Sequence, residues 1–102
     1  MVKDNKKILQ FFSALSDETR LKILMELVNG PKNVNEIYKS VGKNITLSAI
    51  SHQLKLLSYA DIIEYVKKGR ERKYSLSGDF CWCILRDAAK HFQNKKLKRL
   101  IK

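Results

Sequence analysis

Residues 46–74, Thr46-Leu-Ser-Ala-Ile-Ser-His-Gln-Leu-Lys-Leu-Leu-Ser-Tyr-Ala-Asp-Ile-Ile-Glu-Tyr-Val-Lys-Lys-Gly-Arg-Glu-Arg-Lys-Tyr74, decide how the chain is read. The first half has helical periodicity: Ile50, Leu54 and Leu57 recur at i, i+4 and i+7 and share one face. Ser48, Ser51, His52 and Lys55 fall on the other face and are small, polar or basic. The second half predicts a hairpin. Ile62, Ile63, Tyr65 and Val66 are strand formers, Lys67-Lys-Gly-Arg70 turns, and Arg72 to Leu76 returns. A helix with a hydrogen-bonding face, followed at once by a hairpin with a basic tip, has the parts that a major-groove reader with a phosphate-gripping wing needs.

Working upstream, Asn33-Val-Asn-Glu36 fits a capping box, with Asn at the cap and Glu three residues later. It predicts a short helix from Val34 to Val41, closed by Gly42, with Ile37 and Val41 inward. Lys43-Asn-Ile45 is then a loop, and Thr46 caps the helix that follows. Before this unit, Ser16 is the expected cap of a helix running to Val28. Asp17 and Glu18 lie in its first turn, where they face the positive end of the helix dipole, and Gly30-Pro31 stops it. Leu21, Leu24 and Val28, with Ile23 and Leu27 beside them, are its expected buried face. A first helix over residues 6–15 carries Ile8, Phe11, Phe12 and Leu15 as an apolar stripe. The order helix, turn, helix, hairpin is a winged helix-turn-helix. Its second helix is expected in the major groove, while the first crosses the backbone.

Composition agrees with one folded domain over 1–102: 102 residues, of which 44% are hydrophobic. Within it the helix-turn-helix is expected at about 34–58, the wing at about 62–76 and a C-terminal dimerisation helix at about 79–101. The net charge of +11 points to an anionic partner. The excess grows along the chain: residues 77–102 carry seven Lys/Arg against two Asp/Glu. No apolar run is long enough for a membrane span, and the first residues lack a signal peptide's apolar core, so the expected location is the cytoplasm, away from any membrane. Cys81 and Cys83 are too few and too close for a disulfide framework. No Gly-rich phosphate loop, Ser/His/Asp arrangement or carboxylate pair with a pocket is present, so an enzyme is not expected.

Three motifs in order resemble the ArsR/SmtB family of winged helix-turn-helix transcriptional regulators, over roughly Phe12 to Leu76. Phe12-Ser-Ala-Leu-Ser-Asp-Glu-Thr-Arg-Leu-Lys-Ile-Leu24 is similar to the family's LADPTRLRIL. Ser48-Ala-Ile-Ser-His-Gln-Leu-Lys-Leu-Leu57 is similar to its recognition helix STVSRHLKLL, and Ile62 to Leu76 to its wing passage. The resemblance implies a homodimer through the N- and C-terminal helices, acting as a repressor on an inverted-repeat operator. The departures are specific. Asn33 and Asn35 stand where metal-sensing members carry two cysteines in ELCVCDL, and an amide is a poor ligand for a soft metal. The turn after Gly42 is about two residues longer than the family's. His52 stands where Arg is common, and Gln53 where His is.

The last helix carries Phe80, Ile84, Ala88 and Phe92 as one apolar stripe, with Trp82, Leu85 and Ala89 alongside, more apolar surface than a terminal helix of a small domain needs. Dimer burial is its economical explanation. Cys83, Asp87 and His91 also lie along one face at i, i+4 and i+8, but the family's Asp-x-His…His-x-x-Glu spacing is missing. A small buried thiol and a satisfied histidine are the plainer reading. No metal ligand and no cofactor are assigned. Lys95 to Lys102 reads as a solvated helix end.

The expected partner is double-stranded DNA. Ser48, Ser51, His52 and Gln53 are the candidates for base edges, since Gln can pair bidentately with adenine. Thr46 and Lys55 are expected on phosphate. Lys67, Lys68, Arg70, Arg72 and Lys73 are expected to grip the backbone or an adjacent minor groove, with strand alternation turning about half of them away. The rival reading is a non-specific architectural DNA-binding protein with the same basic surface and no base readout.

Overall fold

A computed structural model describes residues 5–78 and 82–101, the side chains of residues 94–101 excepted. Five helices and one antiparallel hairpin follow in the order α1 (Asn5–Leu15), α2 (Glu18–Leu27), α3 (Val34–Val41), α4 (Leu47–Tyr59), β1 (Ile63–Lys68), β2 (Glu71–Leu76) and α5 (Cys83–Ile101). This is a mainly helical winged helix-turn-helix.

The α3–α4 unit follows from its caps. Asn33 accepts from the Glu36 backbone N–H at 2.8 Å, and the Glu36 carboxylate accepts from the Asn33 N–H at 2.9 Å, which completes the capping box. Thr46 Oγ1 accepts from the Ala49 N–H at 3.1 Å and starts α4. Between the two helices Gly42 closes α3: its N–H donates to the Tyr38 carbonyl at 2.7 Å, and a Cβ there would overlap that same oxygen. Within this turn Asn44 takes the left-handed region (φ 63°), which Asn tolerates better than most residues.

Helix α4 ends in a Schellman motif. The Ile62 N–H donates to the Leu57 carbonyl and the Asp61 N–H to the Ser58 carbonyl, both at 3.1 Å, with Asp61 at φ 60° where Gly is usual. The wing follows directly. Its strands pair from Ile63↔Leu76 to Lys68↔Glu71, leaving Gly69-Arg70 as a two-residue loop. Gly69 takes φ 62°, the sign that the first loop position of a type II′ hairpin requires. Lys67 and Lys68, expected in the turn, are therefore strand residues. Lys32, in the loop before α3, adds an isolated bridge to the far side of β2, exchanging both backbone hydrogen bonds with Tyr74 at 2.8 and 2.9 Å.

The core lies beneath α4. Ile23, Leu24, Ile37, Ile50, Leu54 and Leu57 are fully buried, and Leu27, Ile62, Ile63, Tyr74 and Leu85 join them. Each such aliphatic side chain contributes about 1.5–3 kcal/mol of burial free energy. The α4 stripe read from spacing is the one that packs.

Elsewhere the packing differs from the sequence reading. The cap of α2 is Asp17, whose carboxylate accepts from the Arg20 N–H at 3.0 Å, while Ser16 Oγ donates back to the Ser13 carbonyl at 2.9 Å. Two cap-competent residues stand side by side, and the chain uses the second. Leu21 is exposed and Val28 only half-buried, so the inward face of α2 is Ile23, Leu24 and Leu27. In α1 the inward face is Phe11, Ala14 and Leu15, which leaves Ile8 and Phe12 exposed. Helix α5 begins at Cys83; Phe80 and Cys81 lie outside the described residues. Its start is held by Trp82, whose Nε1–H donates to the Ser77 carbonyl at 2.8 Å and whose ring lies 5.7 Å from that of Phe11. Leu85 points inward, while Ile84, Ala88 and Phe92 stay exposed. Among the described residues, no helix is long and apolar enough to cross a membrane.

Candidate nucleic-acid interface

Helix α4 buries one face and presents a mainly polar one to solvent, with Leu47 exposed beside it at the helix start. Ile50, Leu54 and Leu57 fix its rotation, so Ser48, Ser51, His52 and Lys55 are all exposed together on the outward side. Short hydroxyls and an imidazole on a rigid helix can donate and accept at fixed positions, as base-edge contacts require. Thr46 is exposed at the helix start, and its hydroxyl oxygen is engaged in the cap. Gln53 is set apart from this group. It is half-buried on the flank of the helix, and its Oε1 is buried without a hydrogen-bond partner among the described residues. The spacing 48, 51, 52, 55 follows the helix repeat, and position 53 lies more than a quarter-turn off that line.

The wing cations divide by strand alternation. Lys67, Lys68 and Arg70 are exposed at the tip. Arg72 faces α4, with its guanidinium carbon 4.6 Å from the centre of the Tyr65 ring. A hydrogen bond to Tyr74 and the two tyrosines beside it raise the Arg72 pKa above its usual value, so it stays charged at any pH of interest. Lys73 is on the opposite face and pairs with Glu36 at 3.8 Å. Next to it Asn33 Nδ2 donates to Glu71 Oε1 at 3.1 Å. The Asn33 backbone N–H, with the nearby Lys73 and Lys32 cations, holds the Glu36 carboxyl below the ordinary range for Glu. The start of α3 is thus tied to the wing by a side-chain hydrogen bond, an ion pair and the Lys32–Tyr74 bridge. The sequence reading counted Lys73 among the free wing cations; its partner lies 37 positions upstream, and no local pattern announces it.

Between α4 and the wing lies an open groove of about 480 Å³, lined by Ser51, Lys55, Ser58, Tyr59, Tyr65, Arg72 and Tyr74. Tyr59 and Tyr65 are absent from the expectations above. The signal was available for Tyr59, which continues the Ser51, Lys55, Ser58 line at helical spacing. It was not available for Tyr65, which reads simply as a strand former. The row Cys83, Asp87 and His91 is exposed along α5, and among the described residues no three His, Cys, Asp or Glu side chains gather as a metal site.

Comparison with known proteins places this geometry. Residues 17–65 match the family model described as bacterial regulatory protein, arsR family. The chain is 31% identical over 88 residues to a transcriptional repressor SmtB homolog of Synechocystis, across 86% of this chain and 65% of that protein. Measured on that relative, the match spans slightly under two-thirds of its length. Over 66 residues the chain is 39% identical to the transcriptional repressor SdpR of Bacillus subtilis, covering 65% of this chain and 71% of the relative. The fold superposes with a TM-score of 0.72 on the homodimeric winged helix-turn-helix DNA-binding domain of Mb0332 from Mycobacterium bovis, at 20% identity, over 97% of this chain and 93% of that one.

Proposed function

The chain belongs to the arsR family of bacterial regulatory proteins, and from that premise we propose that it is a dimeric, sequence-specific DNA-binding transcriptional repressor acting on an inverted repeat. The observation that carries the reading is the outward face of α4. Ser48, Ser51, His52 and Lys55 are exposed together beside a wing whose tip presents Lys67, Lys68 and Arg70. In this account Ser48, Ser51 and His52 meet base edges, Lys55 and Thr46 meet phosphate, and the tip reaches the neighbouring backbone or minor groove. Gln53 is reassigned from base reading to the flank of the helix, and Lys73 from DNA contact to the tie with α3.

The dimer is supported by apolar surface left uncovered on the terminal helices. Phe12 on α1 is 56% exposed and Phe92 on α5 is 67% exposed, with Ile8 and Ile84 also open. Such a surface favours burial against a second copy. Two copies then present their α4 helices to successive major grooves, about one helical turn apart.

Salt dependence tests the interface. If a dimer neutralises about eight phosphates, log affinity for its site falls with log salt at a slope near −7. A slope close to −1 would contradict it. His52→Ala is expected to relax preference at one base pair by about 1–3 kcal/mol, while Gln53→Ala leaves the preferred sequence unchanged.

A further inference from the structure

A second recess, of about 400 Å³, lies where α1, the start of α2 and the end of α4 meet, and it shares no lining residue with the groove beside the wing. Its volume is at the small end of ligand sites, which run about 300–1,000 Å³. Leu9, Ala14, Leu56, Leu57, Ala60 and Ile62 form its apolar wall. Leu9 and Leu56 are 68% and 42% exposed, so apolar surface is left uncovered on both rims. The rest of the lining is Lys6, Gln10, Ser13 and Arg20, two cations and two neutral polar groups without a carboxylate. Two nearby acids are engaged elsewhere. Asp17 caps α2 and lies 3.6 Å from Arg20 Nε, and Asp61 pairs with Lys7 at 3.7 Å. Lys6 has no ion pair among the described residues. On α1, Ile8 of the apolar surface argued for the dimer lies about 140–160° around the helix from Lys6, Gln10 and Ser13, so the polar rim belongs to a different flank.

We propose that this recess is a binding site for a small amphipathic carboxylate. The apolar body of the ligand lies against Leu56, Leu57 and Ala60, and its carboxylate meets Arg20 and Lys6. Arg20 Nε is buried, so the terminal guanidinium nitrogens make the contact, and their planar fork can meet both carboxylate oxygens. Such a ligand touches both the helix that carries the dimer surface and the helix that carries the outward polar face. The site does not depend on how the chain meets DNA.

The test titrates the full, isotope-labelled chain at neutral pH with octanoate and with octanol, following amide chemical shifts. Octanoate is expected to bind saturably with a dissociation constant on the order of 0.1–1 mM. Its shifts should centre on Gln10, Ser13, Leu57 and Ala60. Octanol has the same chain without the charge and is expected to bind about tenfold more weakly. Lys6→Gln and Arg20→Gln should each raise the octanoate dissociation constant about fivefold, leaving that of octanol unchanged. Ser13→Phe fills the recess from its exposed rim without changing the charge, and should abolish binding of both. Lys6 and Ser13 are exposed, so these two variants carry the test should Arg20→Gln impair folding.

Equal affinity for octanoate and octanol would overturn the carboxylate assignment and the proposal with it. Shifts centred on Phe12 and Phe92 would show adsorption to the apolar surface of the terminal helices instead. The absence of any saturable shift up to about 10 mM octanoate, well above the expected dissociation constant, would show that there is no site. Either result overturns the proposal, and both leave duplex binding to be read separately.

Discussion

On the face of the wing turned toward α4, Arg72 lies over Tyr65 beside an open groove. On the face turned toward α3, Lys73 pairs with Glu36 and Glu71 accepts from Asn33. Adjacent basic residues of one strand thus have different tasks. The α4 face keeps its charge available to a ligand, and the α3 face spends its charge on holding the wing in place. Counting Lys and Arg along a basic hairpin therefore overstates its grip on DNA. What decides each residue's role is the parity of its position in the strand and what lies opposite that face.

The largest effect should come from the residue both faces share. Tyr74 is 6% exposed, its ring is 5.5 Å from Tyr65, and its backbone exchanges hydrogen bonds with Lys32. Tyr74→Ala is expected to cost about 3–5 kcal/mol in stability, as other large-to-small aromatic changes do. Chemical denaturation would check this, and a loss under 1 kcal/mol would mean the wing is not anchored through Tyr74.

Next in size is the contrast between neighbours. Arg72→Gln should weaken duplex binding about tenfold, or about 1.4 kcal/mol, with little change in stability. Lys73→Gln should leave affinity within about twofold, because that ammonium is already paired and exposed. Equal losses from the two substitutions would erase the distinction between the faces.

Asn33→Ala removes both a helix cap and the hydrogen bond to Glu71, and is expected to destabilise the fold by about 1 kcal/mol, within the usual range for lost caps. Its effect on DNA binding should be no greater than its effect on stability accounts for.

The smallest effect belongs to Glu36. Its folded-state pKa is lowered from 4.5, first by the Asn33 N–H and then by Lys73 and Lys32. A lowered pKa means that the carboxylate stabilises the fold above its unfolded pKa, and that this contribution is lost as pH falls through the folded value. Glu36→Gln keeps a side chain able to cap but removes the charge. The stability difference from wild type should therefore be present at neutral pH, begin to shrink near 4.5 and vanish once the pH is below the lowered folded value. A difference that persists unchanged at pH 3 would assign the effect to something other than ionisation.

Much of this was legible in the sequence, for local reasons. The Asn33–Glu36 box, the Thr46 cap, the Ile50/Leu54/Leu57 stripe and the Gly69 loop are all set by residues within a turn or two of each other. The failures have physical causes as well. Ser16 and Asp17 can both cap a helix, and spacing cannot rank them. Helix α1 carries apolar residues around more than half its circumference, so periodicity does not say which sector faces the core and which is left for a partner. Position 53 carries a residue type suited to adenine, yet the helix rotation fixed by Leu54 and Leu57 turns it aside. The tie between α3 and the wing, and the stacking of Arg72 on Tyr65, exist only after the hairpin folds back over the helices.

The most direct test of the central claim is to offer the pure protein a pool of random duplex DNA in about 150 mM salt, near physiological ionic strength, and to sequence what is retained. The account predicts an inverted repeat with half-sites about one helical turn apart, read by two copies of α4. Retention without any enriched motif would contradict it in favour of an architectural DNA-binding protein, and no retention at all would mean that the basic surface serves a different partner.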